Sequence, residues 1–307
     1  MPYSRLANPS ATIGVLERHG LRTRKALGQH FLIDDNIVGR IVREADITPG
    51  ERILEIGPGI GTLTDALLQA GADVVAVEYD ERLLPVLADL AAERGGLTVV
   101  HADAVNVPVD QLGVGASAPR ALVANLPYAV AATVVLRFFE EMPSLERAVV
   151  MVQAEVAERM SARPRTKAYG AYTVKLGLYA RAAGRFAVPR SCFLPPPRVD
   201  SAVITLVRHA TAEAPSLRTS AVRAADAAFS QRRKTLRNSL AAGLGINAAE
   251  ATLLLEGAGI DPAARAETLD VEHFLRLGAV LLEHGSISEL GVRPWQDVRS
   301  SSRPTDR

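Results

Sequence analysis

From residue 52 onward the chain alternates short apolar runs with amphipathic stretches. Runs of strand length occupy residues 52–56, 73–78, 97–102, 120–124 and 147–152. Apolar residues at helical spacing fill 62–70, 82–92, 131–140 and 155–163. Strands that alternate with helices predict a parallel sheet covered on both faces. Two further strand-like runs, 175–180 and 201–208, follow without an obvious helix between them and are expected as an antiparallel edge. That gives an α/β, seven-stranded, mostly parallel sheet.

Before residue 52, residues 36–45 predict a helix with Ile37, Ile41 and Val42 on one face, capped by Asp34 or Asp35. Residues 1–16 show no period and are expected as a flexible arm. Arg18, His19, Arg22, Arg24 and Lys25 then make the chain basic, so 1–24 reads as a flexible basic N-terminal arm. After Thr211 the chain turns Ala-rich, with helical patterns at 219–229, 232–242, 248–257 and 271–283 and no strand. The expected organisation is an α/β domain over 25–211, a smaller all-helical C-terminal domain over 212–285, and a polar, disordered tail over 286–307.

Composition narrows the classes. Apolar residues make up 48% of the 307 positions, enough for a sizeable core, which excludes a wholly disordered chain. A net charge of +1 argues neither for nor against nucleic acid, so RNA binding has to rest on local clusters. Cys192 is the only cysteine, which rules out an internal disulfide and a thiolate zinc site; no metal is expected. No run is long enough to span a membrane, and no N-terminal apolar core suggests a signal peptide. A cytoplasmic protein is expected.

Candidate chemistry begins at Glu55-Ile56-Gly57-Pro58-Gly59-Ile60-Gly61, after the first predicted strand and before a helix. Glycines there allow a tight turn and close approach of a ligand to the backbone. The spacing G-x-G-x-G differs from the dinucleotide pattern, and a tight turn alone also explains it. Context favours a nucleoside-type ligand. Glu78 ends the second predicted strand, where a carboxylate can accept bonds from both ribose hydroxyls. Asp103 ends the third and can accept from an adenine amine. Each alone also reads as a solvated loop carboxylate.

Asn125-Leu126-Pro127-Tyr128 follows the fourth predicted strand. An ordinary turn accounts for Asn and Pro here. A chemical reading goes further. An exocyclic adenine amine is a poor nucleophile, because its lone pair is delocalised into the ring. The Asn125 side-chain carbonyl and the Leu126 main-chain carbonyl can each accept one of its N–H bonds and orient the lone pair, with Pro127 pre-setting the backbone. Tyr128 can stack on the base. Displacement at a sulfonium methyl then needs positioning and electrostatics rather than a strong base. Phe193, opening the stiff run Phe193-Leu194-Pro195-Pro196-Pro197, either closes the other face of the base or anchors that loop in apolar surroundings; taken alone, the anchor is favoured.

Taken together, these segments resemble the small-subunit (16S) ribosomal RNA adenine N6-dimethyltransferases, among the class I S-adenosylmethionine-dependent methyltransferases. The matching segments lie at 27–34, 53–64, 77–80, 103–104, 125–128, 151–160, 169–170, 193–203, 229–240 and 265–277. The resemblance implies a Rossmann-like sheet and S-adenosylmethionine as cofactor. It implies cofactor contacts from His30, Leu32, Gly57, Gly59, Gly61, Glu78, Asp103 and Asn125. Leu126, Pro127, Tyr128 and Phe193 would form the target-base pocket beside Asn125. Many members have Asn where this chain has His30, a change that a backbone contact survives. The family dimethylates two adjacent adenosines in the 3′-terminal hairpin of 16S rRNA, within an immature small ribosomal subunit. A monomer is expected.

Three basic clusters are candidates for phosphate contacts: 18–25, 159–167, and Arg232-Arg233-Lys234 with Arg237, the last expected to open a helix. A methyltransferase of large-subunit rRNA, of the antibiotic-resistance type, shares fold and chemistry; Leu126, the 193–201 loop and the 231–240 helix argue against it. An assembly factor acting mainly by binding is a second alternative. A nicotinamide oxidoreductase fits neither the loop spacing nor the tetrapeptide.

Overall fold

Near-continuous apolar strands dictate a sheet buried on both faces, and the computed structural model, which describes residues 2–23, 29–210 and 213–285, contains one. Two units divide the chain: Met1–Ser161 with Tyr179–Ala210, and Ala162–Leu178 with Thr211–Arg307.

In the first unit, α1 (Pro9–Arg18), β1 (Phe31–Leu32) and α2 (Asp35–Ala45) precede β2 (Arg52–Ile56), α3 (Thr62–Gln69), β3 (Asp73–Glu78), α4 (Leu84–Arg94) and β4 (Leu97–His101). Then come β5 (Ala121–Asn125), α5 (Ala131–Glu141), β6 (Arg147–Gln153), α6 (Ala154–Met160), β7 (Ala180–Val188), β8 (Phe193–Leu194) and β9 (Ser201–Arg208). Seven strands form one sheet in the order β4-β3-β2-β5-β6-β9-β7. The β4 to β6 pairs are parallel, and β9 runs antiparallel to both β6 and β7. This is the mostly parallel, seven-stranded, Rossmann-like sheet expected from the alternation. Its centre is dry: Ile53, Leu54, Val74, Val75, Leu122, Val123, Val149 and Val150 are all buried. β1 and β8 form a separate antiparallel pair. Asp34, one of the two caps considered, accepts from the Asn36 and Ile37 N–H groups at the start of α2.

The N-terminal residues correct the expectation of a loose arm. Asn8 caps α1 by accepting from the Ala11 N–H, and Pro9 occupies its first turn. Val15 packs with Phe31, Ile60, Leu83 and Val86. Upstream of the helix, the Ser4 hydroxyl and Arg5 N–H donate to Asp65, and the Arg5 guanidinium contacts Glu93. The helix is hard to read from sequence because only Thr12 and Val15 of its ten residues are buried.

The second unit is helical: α7 (Ala171–Gly177), α8 (Pro215–Phe229), α9 (Leu236–Leu244), α10 (Ala248–Gly257) and α11 (Val271–Glu283). Tyr169, Val174, Ala224, Ala228, Leu240, Leu255, Phe274 and Leu277 share its core. Alanines let α8 approach α11 closely, and a β-carbon on Gly278 would come within 2.8 Å of the Ala221 nitrogen. Three corrections follow. Residues 175–180, expected as a strand, form the end of α7 and the turn into β7. Ala162–Leu178 groups with the helical unit rather than the sheet unit: the Tyr169 hydroxyl donates to the Leu269 carbonyl, Lys175 pairs with Asp226, and the Arg165 N–H donates to Glu267 O. Arg232, Arg233 and Lys234 lie in the turn between α8 and α9 and do not open a helix. The expected tail over 286–307 lies outside the described residues. No helix among the described residues is long and apolar enough to cross a membrane.

Asp65 lies at 0% exposure and takes donors from Ser4, Arg5, Gln69 and Arg94. Removing it takes the Asp65 acceptor from the Ser4 hydroxyl, the Arg5 N–H and the Arg94 guanidinium, while the Gln69 amide keeps Tyr3 O. Asp65→Ala is expected to lower unfolding free energy by about 2–4 kcal/mol in equilibrium urea denaturation. An unchanged midpoint would mean the N-terminal segment is not held there.

Candidate active site

Strand order reverses between β2 and β5, which pair in parallel with β3 on the far side of β2. In open α/β sheets, such a switch point leaves a crevice outside the strand carboxyl ends. Here the crevice is a cavity of about 670 Å³, within the ordinary range for small-molecule sites. Of the predicted site residues, His30, Leu32, Gly57, Gly59, Glu78, Asp103, Asn125, Leu126, Pro127 and Tyr128 all line it.

The glycine loop crosses its floor. Gly57 and Gly59 have φ of 66° and 62°, in the left-handed region. A β-carbon on Gly57 would sit 3.3 Å from the Pro127 ring, and one on Gly59 would sit 3.2 Å from the Phe31 ring. Side chains at either position would therefore be strained and crowded. Gly61 does not line the cavity; it stands as the cap residue before α3 and shapes the turn. Beside it Thr62 lines the cavity, and its hydroxyl is buried with no hydrogen-bond partner among the described residues.

Glu78 is buried at the end of β3. Its Oε1 accepts from the Tyr79 and Asp80 N–H groups, and Oε2 accepts from the Gly59 N–H at 3.2 Å. Burial pushes its pKa up while those main-chain bonds pull against it. The carboxyl is fixed; Oε1 has both acceptor sites filled by main-chain N–H groups, and Oε2 keeps one for a ligand hydroxyl. Asp103 folds its own loop, accepting from the Val105 N–H at 2.9 Å and the Asn106 amide at 2.8 Å. Arg137, buried on α5, braces that loop by donating to the Ala104 and Val107 carbonyls. Sequence reasoning passed over Arg137. Its signal was a lone arginine among Val134, Val135, Phe138 and Phe139.

On the opposite wall, Asn125 ends β5 and its Nδ2 donates to the His30 carbonyl at 3.2 Å. This engages the donor end of the amide and leaves Oδ1 as the acceptor for a ligand N–H. Leu126 is buried, its N–H bonded to Met151 O. The Tyr128 hydroxyl lies 2.5 Å from Ser201 Oγ, and its ring stacks with His30, centroids 6.0 Å apart and planes at 23°. Burial pushes the Tyr128 phenol up from its ordinary pKa, so it stays protonated at neutral pH.

Phe193 corrects the two-sided clamp. It is 1% exposed, pairs with Leu32 across the β1–β8 ladder, and packs with Leu32, Cys192 and Val203. It does not line the cavity. The two-stranded ladder turns the ring into the core, which is the anchor reading of that residue. Other cavity residues had little sequence signal: Gln29, whose amide donates to Asp80, and the exposed Tyr79. Glu55 had one, a lone acid inside an apolar strand. No cluster of three or more His, Cys, Asp or Glu suited to a metal occurs among the described residues.

With this geometry in hand, comparison with known proteins is informative. The family model described as ribosomal RNA adenine dimethylase matches residues 20–282. The chain is 48% identical over 283 residues to the ribosomal RNA small subunit methyltransferase A of Leifsonia xyli subsp. xyli, covering 90% of this chain and 98% of that protein. A dimethyladenosine transferase from Plasmodium falciparum superposes with a TM-score of 0.71 at 26% identity, over 83% of this chain and 98% of the other. The 23S rRNA methyltransferase ErmE gives a TM-score of 0.60 at 27% identity, over 82% of this chain and 99% of the other.

Glu55 yields a pH prediction. Burial pushes its carboxyl up to about 8, against the opposing hydrogen bond from the Thr64 hydroxyl and with Glu78 nearby adding to the rise. A carboxyl with a raised folded-state pKa stabilises fully below its unfolded value of 4.5 and loses that contribution as pH rises through about 8. The stability of Glu55→Gln relative to the unsubstituted protein should therefore increase from pH 5 to about pH 8.5, as read by urea denaturation at both. A pH-independent difference would show that Glu55 ionises normally.

Proposed function

The chain belongs to the ribosomal RNA adenine dimethylase family, and from that premise we propose that it dimethylates N6 of two adjacent adenosines in the 3′-terminal hairpin of 16S rRNA. S-adenosylmethionine would be the donor, and the immature small ribosomal subunit the substrate. The observation that carries this reading is the Asn125 amide, whose donor end is engaged by His30 O at the mouth of the glycine-loop cavity.

When bound, S-adenosylmethionine supplies an electrophilic methyl on a sulfonium centre. The residues present suit such a ligand: bare glycine backbone at Gly57 and Gly59, an unpartnered Thr62 hydroxyl, and two fixed carboxyls at Glu78 and Asp103. In this reading Glu78 holds the ribose, Asp103 the adenine, and main-chain groups at His30, Leu32, Gly57 and Gly59 the remainder. Gly61 acts through the shape of the turn. Asn125 Oδ1 and the Leu126 carbonyl accept the two N–H bonds of the target amine. That withdraws its lone pair from the ring and aims it across the cavity. Tyr128 stacks on the base. Phe193 supports the pocket from beneath.

Substrate grip would come from exposed cations. In the helical unit, Arg163, Arg165, Lys167, Arg233, Lys234 and Arg237 are exposed, and the Arg232 guanidinium donates to the Tyr169 carbonyl. Arg18 and Arg22 are exposed in the sheet unit; Arg24 and Lys25 of that cluster lie outside the described residues. Shape-based recognition of a hairpin with a splayed base needs phosphate contacts of this kind.

Incubating the protein with labelled donor and immature subunits, followed by mass analysis of the RNA, tests the proposal. Two adjacent dimethyladenosines in small-subunit RNA are expected; label confined to large-subunit RNA would overturn it. Asn125→Ala should slow transfer by about 100-fold or more, with a much smaller loss of donor affinity, and full activity would remove Asn125 from its role. Replacing Arg232, Arg233 and Lys234 together by Ala should weaken RNA binding and flatten its salt dependence with donor affinity unchanged. Equal loss of both affinities would indicate misfolding.

A further inference from the structure

We infer that His30 is a positioning residue of the acceptor site, tying the proline-rich loop to both Asn125 and Tyr128, and that its side chain serves the second methyl transfer on each adenosine more than the first. The inference rests on the proposed reaction and adds a role that cofactor contact does not supply.

Three contacts converge on this residue. Its Nδ1 lies 2.8 Å from the Pro195 carbonyl. A carbonyl only accepts, so Nδ1 carries the proton and donates it into that bond. Its main-chain carbonyl receives the Asn125 amide, which sets which end of that amide is available to a ligand. Its ring stacks with Tyr128, whose hydroxyl is bonded in turn to Ser201. Tyr128 is thus held at its tip by β9 and on its face by His30.

Both elements that His30 joins are themselves rigid. Phe31 and Leu32 pair with Leu194 and Phe193, and the Ile33 N–H donates to Cys192 O. The His30–Pro195 bond continues this ladder at its open end, through a side chain. Phe193 and Leu32 root the ladder in the core. Loss of the imidazole leaves the ladder intact and frees only its end, where the acceptor groups are.

The chemistry of two successive transfers separates this role from a general structural one. An adenosine amine presents two N–H bonds, one for Asn125 Oδ1 and one for the Leu126 carbonyl. In the first transfer the N–C bond forms as the sulfonium S–C bond breaks; the sulfur keeps that electron pair as a thioether, one N–H proton passes to solvent water, and the nitrogen is left with a methyl and a single N–H. One acceptor has then lost its donor, and the base is oriented more by ring contacts and by the exact placement of the remaining acceptor. A loosened Tyr128 and Asn125 should therefore cost the second transfer more than the first.

The test compares His30→Leu, which removes the donor, with His30→Asn, whose amide can still donate to the Pro195 carbonyl. Both are assayed in the full chain on immature small subunits with labelled donor, and monomethyl and dimethyl adenosine are followed over time. His30→Leu is expected to slow the second transfer about tenfold, and the first several-fold less, so that monomethyladenosine accumulates. His30→Asn should recover much of the second rate, and donor affinity should stay within about twofold for both variants. A wild-type product ratio in His30→Leu overturns the inference. So does a loss of donor affinity that lowers both transfers equally, which would make His30 a cofactor contact. Should the leucine variant fail to fold, His30→Phe keeps a ring against Tyr128 while removing the donor, and is held to the same product ratio. If the unsubstituted protein methylates no small-subunit RNA, it is the proposed function that fails.

Discussion

A β-carbon at Gly57 would lie 3.3 Å from the Pro127 ring, so the turn after β2 and the turn after β5 meet with no room for a side chain between them. That approach follows from topology. β2 and β5 are parallel neighbours, and their chains leave the sheet at the same edge. One turn must be almost bare backbone for the other to reach across it. Glu78 and Asp103 lie at the ends of the next two strands outward, so these two carboxyls follow the 4.8 Å or so between strands. A side chain at Gly57 would press against the Pro127 ring and force the two turns apart.

The parts of the fold readable in the sequence are those where one physical signal dominates. Central strands are apolar throughout because both faces are covered, so β2, β3, β5 and β6 stand out, and the strand-end motifs follow from them. Where signals compete, the reading failed. α1 buries only two residues, and the segment before it is held by polar contacts of Ser4 and Arg5 to Asp65, so neither shows a hydrophobic period. Residues 175–180 alternate Leu176, Leu178 and Ala180 with other residues, a period of two that favours a strand locally; tertiary packing within the helical unit instead continues α7 to Gly177. The same packing takes Ala162–Leu178 out of the sheet unit, because an excursion of the chain is invisible to any argument that reads boundaries from composition. Phe193 was ambiguous for a related reason. Its aromatic ring suits a base or a core equally, and a pairing with Leu32, some 160 residues away in sequence, decides between them.

The charges of the cavity are divided between its halves. Carboxyls occur on the side assigned to the donor, at Glu55, Glu78 and Asp103, while the acceptor side presents the neutral groups Asn125, Leu126 O and Tyr128. A sulfonium carries positive charge, which nearby carboxylates favour. A carboxylate beside the target amine would compete for its N–H bonds in a different geometry. Glu55 is the exception that supports the division. Its carboxyl is pushed up to about 8, so at neutral pH it holds its proton and adds little negative charge to the cavity lining.

Neutral acceptors also bear on how a single site performs two transfers at one nitrogen. A strong base near the amine would help remove a proton yet would not hold the base in place once a methyl occupied one hydrogen-bonding position. In the proposed reaction fixed carbonyls would do both tasks in part: they would orient the lone pair when two N–H bonds are present and still engage one when a single N–H remains. Their usefulness depends on rigidity, since a carbonyl displaced by an ångström no longer meets the remaining hydrogen. The structure supplies that rigidity by bonding every element of the acceptor wall to a different strand. Asn125 is bonded to the residue preceding β1, Leu126 to β6, and Tyr128 to β9. Because the three bonds run to different parts of the chain, no single loop movement shifts all three groups together.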